Sequence, residues 1–526
     1  MKRELHHPAL NTILGLDHGN TTQYRGLKYA SLEHPFSEPT LFTETGGSSV
    51  HATSYGPACP QNPEARDHEF TFIQHALPCE DAQFSSTECL SLNIVTPKNA
   101  QHPLPVFVFI HGGGFSIGAN SWPQYDPTRL VEISIEKGSP VIGININYRL
   151  GAFGFLASQE LLVAGIKTNN GIRDQRAALT WIQRYVDGFG GDPNSITVVG
   201  VSTGAISGLL HLESSQPLFK RIFAMGGTPL LLKPLPLEVK ESTYAAAIAK
   251  LGFTSMTTEA RIKALKEVAP EVLLAATANL PMLPTIDGEL ITVPGTFSQW
   301  SFKDKLLPGT KWCESIMIGD CEMDSSVLFY MLQGRLDGID HAFITSTERS
   351  IGDVACRQQL LEGYNFLNTS TNSPTEAVDK VLQFANDIGF YAPLVSIASG
   401  WPKKAYIFHF NEPNPWPGRY HGVATHILDA AFLFQNYNEF LDDVQKGSAR
   451  AFGENFIEFV NGSEPFPSYI ADEGGAMVYG PAERRQMFVK SKISEDYGRR
   501  GTIFKLAESS SFEKLSDAWG VFLRGE

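Results

Sequence analysis

The chain has 526 residues and a formal net charge of −14, with 42% hydrophobic and 19% charged residues. An acidic chain is repelled by the phosphate backbone, which argues against a nucleic-acid-binding role. No run approaches the roughly 18 consecutive apolar residues of a membrane span. The amino terminus also lacks the apolar core of a secretory signal. We expect a cytoplasmic protein as the sequence is written, or a secreted one if a leader was removed.

The cysteines do not form a metal-binding pattern. None belongs to a close C-x-x-C pair, and no histidine cluster accompanies them, so we predict no structural metal site and no cofactor. The sequence leaves open whether two of Cys59, Cys79 and Cys89 form a disulfide. The six cysteines are Cys59, Cys79, Cys89, Cys313, Cys321 and Cys356.

The first third of the chain alternates short strands with one long irregular stretch. Residues 12–30 predict an opening hairpin. Residues 31–88 are rich in Pro, Ser, Gly and His with little periodicity, which is typical of a functional wall or lid. Strands are then predicted at 88–97, 106–110 and 141–146. The last two are apolar runs typical of strands buried on both faces.

Helices and strands alternate through the rest of the chain. A helix is predicted over 174–186, because its apolar residues recur at helical spacing. Residues 230–310 and 330–400 are predicted to be largely helical and to pack beside the sheet as a cap. Alternating strands and helices predict a doubly wound, mainly parallel sheet. The further strands are predicted at 196–199, 221–225, 315–318 and 405–410.

The sequence Gly200-Val201-Ser202-Thr203-Gly204 is the first candidate for chemistry. It is a G-x-S-x-G motif placed between a predicted strand and a predicted helix. In that setting the serine lies on a sharp turn, and small neighbours allow the chain to double back. A serine hydroxyl becomes a nucleophile when a histidine, oriented by a carboxylate, takes its proton. The motif therefore predicts a later acid and a later histidine.

Several residues could supply these two groups. The strand at 315–318 is followed by three carboxylates, and spacing alone does not choose among them. The later histidines are His409, which lies within a predicted strand and is more typical of core packing, and His421 and His426. The three carboxylates are Asp320, Glu322 and Asp324.

The glycine run Gly112-Gly113-Gly114 is the second candidate. By itself such a run is a flexible turn. Here it follows a buried strand and precedes the serine turn, where backbone N–H groups could receive a developing oxyanion. Donors of that kind contribute about 3–4 kcal/mol each in acyl transfer.

These residues resemble the type-B carboxylesterase/lipase family, the cholinesterase-like branch of the α/β-hydrolases. The similarity is densest between residues 24 and 230 and returns near 319, 426 and 459–469. The motifs that carry it are Arg25–Ala30, Gly56–Gln61, Glu88–Asn93, His111–Phe115, Asn147–Leu156, Asn170-Gly171, Asp174–Arg176 and Phe189–Pro193.

The resemblance implies specific roles. In the family pattern the acid lies five residues beyond a strand-ending glycine, which is Asp324 here. The histidine is followed by an acidic residue three positions later and by Phe eight positions later, which His426 satisfies and His421 does not. The implied oxyanion donors are the amides of Gly113, Gly114 and Thr203.

The chain also departs from the family pattern. The usual Glu-Ser-Ala at the elbow is Val201-Ser202-Thr203, so a buried charge is lost while the nucleophile is kept. The acid is an aspartate, one methylene shorter than the usual glutamate. The family's first disulfide would join Cys59 to Cys89, although the absence of a leader argues that both stay reduced.

The resemblance implies one α/β-hydrolase domain over 1–526, with wall or cap segments near 31–88, 230–310 and 330–400. The implied activity is that of a serine carboxylesterase with Ser202, His426 and Asp324 as its triad. We expect a moderately large, hydrophobic ester or lactone substrate. Aromatic residues of the walls suggest such a substrate, although core packing explains them equally well: Phe70, Phe72, Phe302, Phe329 and Tyr330.

Two other functions remain open. One is a non-catalytic binding module of the same fold, and the other is an acyltransferase or cyclase that uses the same acyl-enzyme. We expect a small-molecule ester as the partner, no nucleic acid and no membrane span. The chain is expected to be a monomer or a homodimer.

Overall fold

A computed structural model describes residues 2–43, 49–98, 102–302, 306–367, 373–481, 486–490 and 498–525. In chain order the strands are β1 (Lys2–His7), β2 (Asn11–His18), β3 (Thr21–Lys28), β4 (Ala30–Ser31), β5 (Thr40–Leu41), β6 (Val50–His51), β7 (Ser91–Pro97), β8 (Leu104–Ile110), β9 (Ile142–Ile146), β10 (Gly191–Val201), β11 (Arg221–Met225), β12 (Leu235–Pro236), β13 (Thr285–Ile286), β14 (Ser315–Cys321), β15 (Lys404–Phe410), β16 (Ala476–Tyr479) and β17 (Gln486–Val489).

The α-helices surround these strands, and several are joined by short 3₁₀ turns. In chain order they are α1 (Ala65–Ile73), α2 (Thr128–Glu136), α3 (Gly151–Phe155), α4 (Gln159–Val163), α5 (Asn170–Tyr185), α6 (Thr203–Leu210), α7 (Leu237–Lys250), α8 (Thr258–Glu267), α9 (Pro270–Thr277), α10 (Phe297–Trp300), α11 (Phe329–Leu332), α12 (Ile339–Ser350), α13 (Val354–Gly363), α14 (Pro374–Asn386), α15 (Ala392–Gly400), α16 (Leu428–Leu433), α17 (Asp443–Val460), α18 (Thr502–Ser509) and α19 (Phe512–Arg524).

A 13-stranded sheet forms the centre of the molecule. Its strand order is β1-β2-β3-β7-β9-β8-β10-β11-β14-β15-β16-β17, and β6 pairs with β2. The pairings from β9 through β16 are all parallel, whereas β1, β2, β3, β7 and β17 pair antiparallel at the two edges. The predicted mainly parallel sheet is thus confirmed for its central part.

Two hydrophobic cores cover the two faces of this sheet. Along β10, Ile196 and Val198 belong to one core and Val199 and Val201 to the other, because side chains of a strand alternate between faces. Helices α5 and α6 contribute to the first core, and α2, α16 and α17 to the second. Helices therefore lie on both faces, as expected for an α/β-hydrolase.

The cap segments agree with the predicted helical content. Residues 230–310 contain α7 to α10, and residues 330–400 contain α12 to α15 and all but the first residue of α11. Residues 303–305 and 368–372 of these segments lie outside the described residues.

The stretch 31–88 differs from the prediction of an irregular segment, because it contains the nine-residue helix α1. The buried positions of α1 include Glu69 beside the apolar Phe70 and Ile73. A charged residue on the buried face breaks the apolar periodicity that would reveal a helix.

A buried ion pair fastens the motif at 147–156 to helix α5. Arg149 and Asp174 are both fully buried, with Nε and Oδ2 2.8 Å apart and Nη2 and Oδ1 2.7 Å apart. The remaining Nη1 donates to the carbonyl oxygens of Pro35 and Ser37, at 3.0 and 2.7 Å. This arginine therefore holds the start of the wall segment against the sheet as well.

We expect Asp174→Asn to destabilise the protein by about 3–5 kcal/mol, because it leaves a buried guanidinium without its counter-charge. The midpoint of urea-induced unfolding should fall accordingly. Glu289→Gln is the matched control, because it removes a charge from the surface pair with Arg173. An exposed pair of this kind is worth about 1 kcal/mol or less. Equal shifts in the two variants would contradict the prediction.

Candidate active site

Ser202 lies on a strained turn between β10 and α6. Its φ of 55° and ψ of −123° are uncommon for a residue with a side chain. A Cβ added at Gly200 would lie 2.2 Å from the carbonyl carbon of Gly204, and one added at Gly204 would lie 1.9 Å from the carbonyl oxygen of Ile110. Only glycine fits at these two positions, which explains the G-x-S-x-G pattern.

Backbone hydrogen bonds hold the serine in this conformation. The Ser202 amide donates to the carbonyl oxygen of Met225, the last residue of β11, at 2.8 Å. The Ser202 carbonyl accepts from the amide of Ile206 at 3.1 Å, within the first turn of α6. The serine is therefore fixed at the carboxyl ends of two neighbouring strands, where open α/β sheets place their sites.

Asp324 and His426 form a buried pair. Nδ1 of His426 donates to Oδ1 of Asp324 at 2.7 Å, and the Cys321 amide donates to Oδ2 at 2.7 Å. The backbone N–H of His426 donates to Oγ of Ser326 at 3.1 Å. These contacts orient the ring and leave its Nε2 available.

The other candidates for acid and histidine lie elsewhere. Asp320 accepts from Nδ1 of His409 at 2.7 Å and from Nε and Nη2 of Arg499 at 3.0 and 2.9 Å. All three side chains are buried, so they form a core ion cluster. Glu322 is half-buried and His421 is exposed.

A second buried carboxyl lies beside the Asp324–His426 pair. Asp429 accepts from the Ala430 amide at 2.8 Å. Burial and the charge of Asp324 raise the pKa of Asp429 to about 7. Burial also raises the pKa of Asp324, whereas the hydrogen bond from His426 acts to lower it.

The dipeptide Gly226-Gly227 lies beside both Ser202 and the Asp324–His426 pair. A Cβ at Gly226 would lie 2.8 Å from Oδ1 of Asp324 and 3.2 Å from Cε1 of His426. A Cβ at Gly227 would lie 3.1 Å from Cα of Ser202. The pair and the backbone of Ser202 thus lie beside adjacent residues of one dipeptide, although no hydrogen bond joins Ser202 to His426 among the described residues. Hydrogen bonds of catalytic pairs are often long or poorly aligned without substrate.

The glycine loop lies against the serine. A Cβ at Gly112 would lie 2.9 Å from Cβ of Ser202. Gly113 and Gly114 have φ values of 94° and 64°, the left-handed region that favours glycine. Within the described part of the chain, no hydrogen bond occupies the amides of these two glycines. They are therefore free to donate to a ligand.

Thr203 anchors this loop through its side chain. The Phe115 amide donates to Oγ1 of Thr203 at 3.3 Å, and the Phe115 carbonyl accepts from the Gly151 amide at 2.7 Å. The hydroxyl that replaces the usual alanine side chain thus fastens the glycine loop to the elbow.

The sequence pattern predicts no role for Glu69, which the structure buries in helix α1. Its Oε1 accepts from the Tyr125 hydroxyl at 2.5 Å and from Nε2 of Gln124 at 3.1 Å. The only sequence signal that Glu69 is buried is its helical spacing from Ala65 and Ile73, and this signal is weak.

Several wider features of the molecule bear on the site. All six cysteines are free thiols, and the buried Cys59 and Cys89 are hydrogen-bonded to each other. Across the described ranges, no three His, Cys, Asp or Glu side chains converge on a possible metal position. No helix of the described chain combines the length and apolar character needed to span a membrane.

The model of the carboxylesterase family matches residues 11–486, most of the chain. The chain belongs to the carboxylesterase family. A para-nitrobenzyl esterase of Bacillus subtilis is 33% identical over 452 residues, which are 82% of this chain and 83% of that esterase. An inactive carboxylesterase-like protein of Byssochlamys spectabilis is 29% identical over 305 residues, 53% of this chain and 50% of that protein.

A solved structure of a PNB esterase shares the fold, with a TM-score of 0.74 and 22% identity over 98% of this chain and 99% of that chain. The predicted α/β-hydrolase fold and family are therefore confirmed. As a member of this family, the chain is a carboxylic-ester hydrolase.

Proposed function

We propose that the chain is a serine carboxylesterase that acts through an acyl-enzyme, with Ser202 as nucleophile, His426 as general base and acid, and Asp324 as the carboxylate behind the ring. The single observation that carries this proposal is the position of Gly226-Gly227. Gly227 of this dipeptide lies against the backbone of the strained serine, and Gly226 lies against the Asp324–His426 pair.

The reaction divides into two halves. Ser202 Oγ attacks the ester carbonyl carbon while Nε2 of His426 takes its proton. The ring then returns that proton to the departing alcohol, which leaves the acyl group on the serine. A water molecule, deprotonated by the same ring, attacks the acyl carbon. The carboxylic acid leaves, and the serine regains its proton.

The amides of Gly113, Gly114 and Thr203 are the proposed oxyanion donors. The first two carry no internal hydrogen bond in the described structure, and the third begins helix α6, whose first N–H groups have no intrahelical acceptor. Preorganised donors stabilise the tetrahedral intermediate because they need no reorientation when the charge develops.

The walls favour an ester with a hydrophobic group. Phe72, Phe329 and Tyr330 are half-buried, and their rings contact one another with centroids 4.9 and 6.0 Å apart. The Thr425 hydroxyl, one residue before His426, donates to the Phe72 carbonyl at 3.2 Å. This aromatic cluster therefore borders the site, whereas Phe70 and Phe302 are buried core residues.

An organophosphate that carries a fluorescent tag tests the assignment. One equivalent should attach covalently to Ser202, and labelling should proceed in parallel with the loss of ester hydrolysis. Peptide mapping identifies the labelled residue. Ser207, buried four residues further along α6, is the internal control and should remain unmodified.

The same experiment distinguishes the esterase from a non-catalytic binding module of the same fold. Such a module would not react stoichiometrically. Product analysis with added alcohols or amines then separates hydrolysis from acyl transfer, because only transfer yields a new ester or amide. Absence of labelling at Ser202 would overturn the proposed mechanism.

A further inference from the structure

We propose that Asn386, the last residue of the cap helix α14, is a positioning residue for the esterase reaction. Its side chain holds the turn that carries Asp324, so that the carboxylate stays aligned with the ring of His426. This inference rests on the roles proposed above for Asp324 and His426. Asn386 touches no reacting atom in this proposal, and it acts through the acid alone.

The carboxamide of Asn386 binds the backbone on both sides of Asp324. Its Oδ1 accepts from the Ser325 amide at 3.0 Å, and its Nδ2 donates to the Glu322 carbonyl at 3.2 Å. A carboxamide carries an acceptor and a donor on one planar group, so a single side chain can bind both positions. Asn386 is 0% exposed, as is Asp324 itself. The turn of the acid is therefore fastened to the cap inside the core.

The segment that leads to His426 binds the same turn. The Glu322 amide donates to the Phe410 carbonyl at 3.0 Å, and the Met323 amide donates to the Ala424 carbonyl at 2.9 Å. Both of these amides precede the acid in the chain. Asn386 adds a bond to the residue that directly follows the acid. The backbone is thus held before and after the carboxylate.

The residues that follow Asn386 also reach the histidine. They form a π-helical turn, Asp387–Tyr391, before helix α15 begins. Turns of this kind are rare and frequently occur at functional sites. Phe390 of this turn is buried, and its ring packs against that of His426 with the centroids 5.7 Å apart and the planes inclined by 63°. One short segment therefore contacts the turn of the acid and the ring of the base.

The position of the acid matters because both of its oxygens are already used. Oδ1 of Asp324 accepts from Nδ1 of His426 at 2.7 Å, and Oδ2 accepts from the Cys321 amide at 2.7 Å. A shift of the turn would lengthen or misalign the first of these bonds and leave the ring less well oriented toward the serine. Displacements of about 1 Å can cost about 100-fold in rate.

A buried asparagine that binds backbone also stabilises a fold. Without its side chain, the Ser325 amide and the Glu322 carbonyl would lose a hydrogen-bond partner in the core, which is destabilising. A loss of stability therefore does not distinguish a positioning residue from a structural one. The test must measure turnover and ask whether its loss passes through Asp324.

The test uses Asn386→Leu on a soluble nitrophenyl ester. Leucine keeps the number and branching of the side-chain heavy atoms but removes both hydrogen bonds. We expect kcat to fall roughly 10–100-fold, because the acid is no longer held in alignment. KM should stay within about twofold of the parent value, because the substitution removes no group that binds the substrate.

A double-mutant cycle with Asp324→Asn shows whether the effect passes through the acid. Once the carboxylate is absent, its alignment no longer matters. Addition of Asn386→Leu to Asp324→Asn should therefore lower kcat by no more than about twofold further. A general disturbance of the site would instead multiply the two losses. The cycle is thus a readout that a purely structural role would not produce.

Asn169→Leu is the matched control, because Asn169 is also buried and its carboxamide also binds backbone. Its Oδ1 accepts from the Thr285 amide at 2.7 Å, and its Nδ2 donates to the Thr285 carbonyl at 2.8 Å. Its φ of 56° makes leucine at least as disruptive there as at position 386. The unfolding temperature of both variants should fall, whereas the folded Asn169→Leu should keep the kcat of the parent.

Should Asn386→Leu fail to fold, Asn386→Ser takes its place. A serine hydroxyl is too short to bind both backbone groups at once, so kcat should again fall, by a smaller factor. The same cycle with Asp324→Asn should abolish that loss.

Three results would disprove the proposal: an unchanged kcat in the folded Asn386 variant, an equal loss of kcat in Asn169→Leu, or a loss that persists in full beside Asp324→Asn. The Asp324→Asn variant by itself separates this failure from that of the proposed function. If Asp324→Asn keeps its turnover, the assignment of the acid is wrong. If it loses turnover while the Asn386 variant does not, only the role of Asn386 is wrong.

Discussion

Ser202→Ala should lower kcat for ester hydrolysis by roughly 10⁴–10⁶-fold while the fold is kept. The substitution removes the only atom that forms a bond to the substrate in the proposed mechanism. It also adds no bulk, although the backbone must still adopt a φ of 55°. The oxyanion donors remain, so some catalysis above the rate in water should persist.

The measurement is single-turnover hydrolysis of a nitrophenyl ester by the purified variant, with circular dichroism as the check of folding. Ser207→Ala serves as the control, because this serine lies in the same helix and its hydroxyl donates to the Thr203 carbonyl at 2.9 Å. We expect the control to keep activity within severalfold of the parent. Undiminished turnover in Ser202→Ala would rule out the serine mechanism.

The sequence predicts the centre of the sheet well, because its strands leave strong local signals. β8 is a continuous apolar run, and β9 is fully buried and interrupted only by Asn145. β10 ends in a motif that requires glycine, because an added Cβ at Gly200 or Gly204 would lie within 2.5 Å of backbone atoms. The edges are harder to predict. β16 and β17 are four residues long each, so neither has enough length for a periodic pattern.

Choosing the acid and the histidine shows where local sequence reasoning ends. Asp320 and Asp324 are four residues apart, and His409 lies in β15 whereas His426 follows that strand. The structure forms a hydrogen-bonded pair from each set, Asp320 with His409 and Asp324 with His426. What separates them is Arg499, which binds Asp320 from 179 residues away and which no local pattern connects to it.

Glu69 shows the complementary limit. Its helix lies in a stretch of low periodicity, and its partners Tyr125 and Gln124 are distant in sequence. A glutamate in a helix is expected to face solvent. Only the packing of the wall helix against the rest of the chain shows that this one is buried.

Asp324→Asn should lower kcat by about 10⁴-fold, a larger effect than any other change of a carboxyl in this protein. The amide of an asparagine can donate to Nδ1, which stabilises the ring tautomer whose Nε2 carries the proton. That ring cannot take the proton of Ser202. The Cys321 amide can still donate to the remaining oxygen, so the variant should fold, and its thermal unfolding should stay near that of the parent.

Two neighbouring carboxyls provide the decisive comparison. Asp320→Asn removes the buried carboxylate that pairs with the guanidinium of Arg499, so it should cost about 3–5 kcal/mol of stability while the folded fraction keeps its turnover. Glu322→Gln, at a half-buried position, should change little in either respect. We therefore expect Asp324→Asn to lower turnover, Asp320→Asn to lower stability and Glu322→Gln to change neither. Loss of turnover in Asp320→Asn or Glu322→Gln, with Asp324→Asn active, would transfer the role of the acid to another residue.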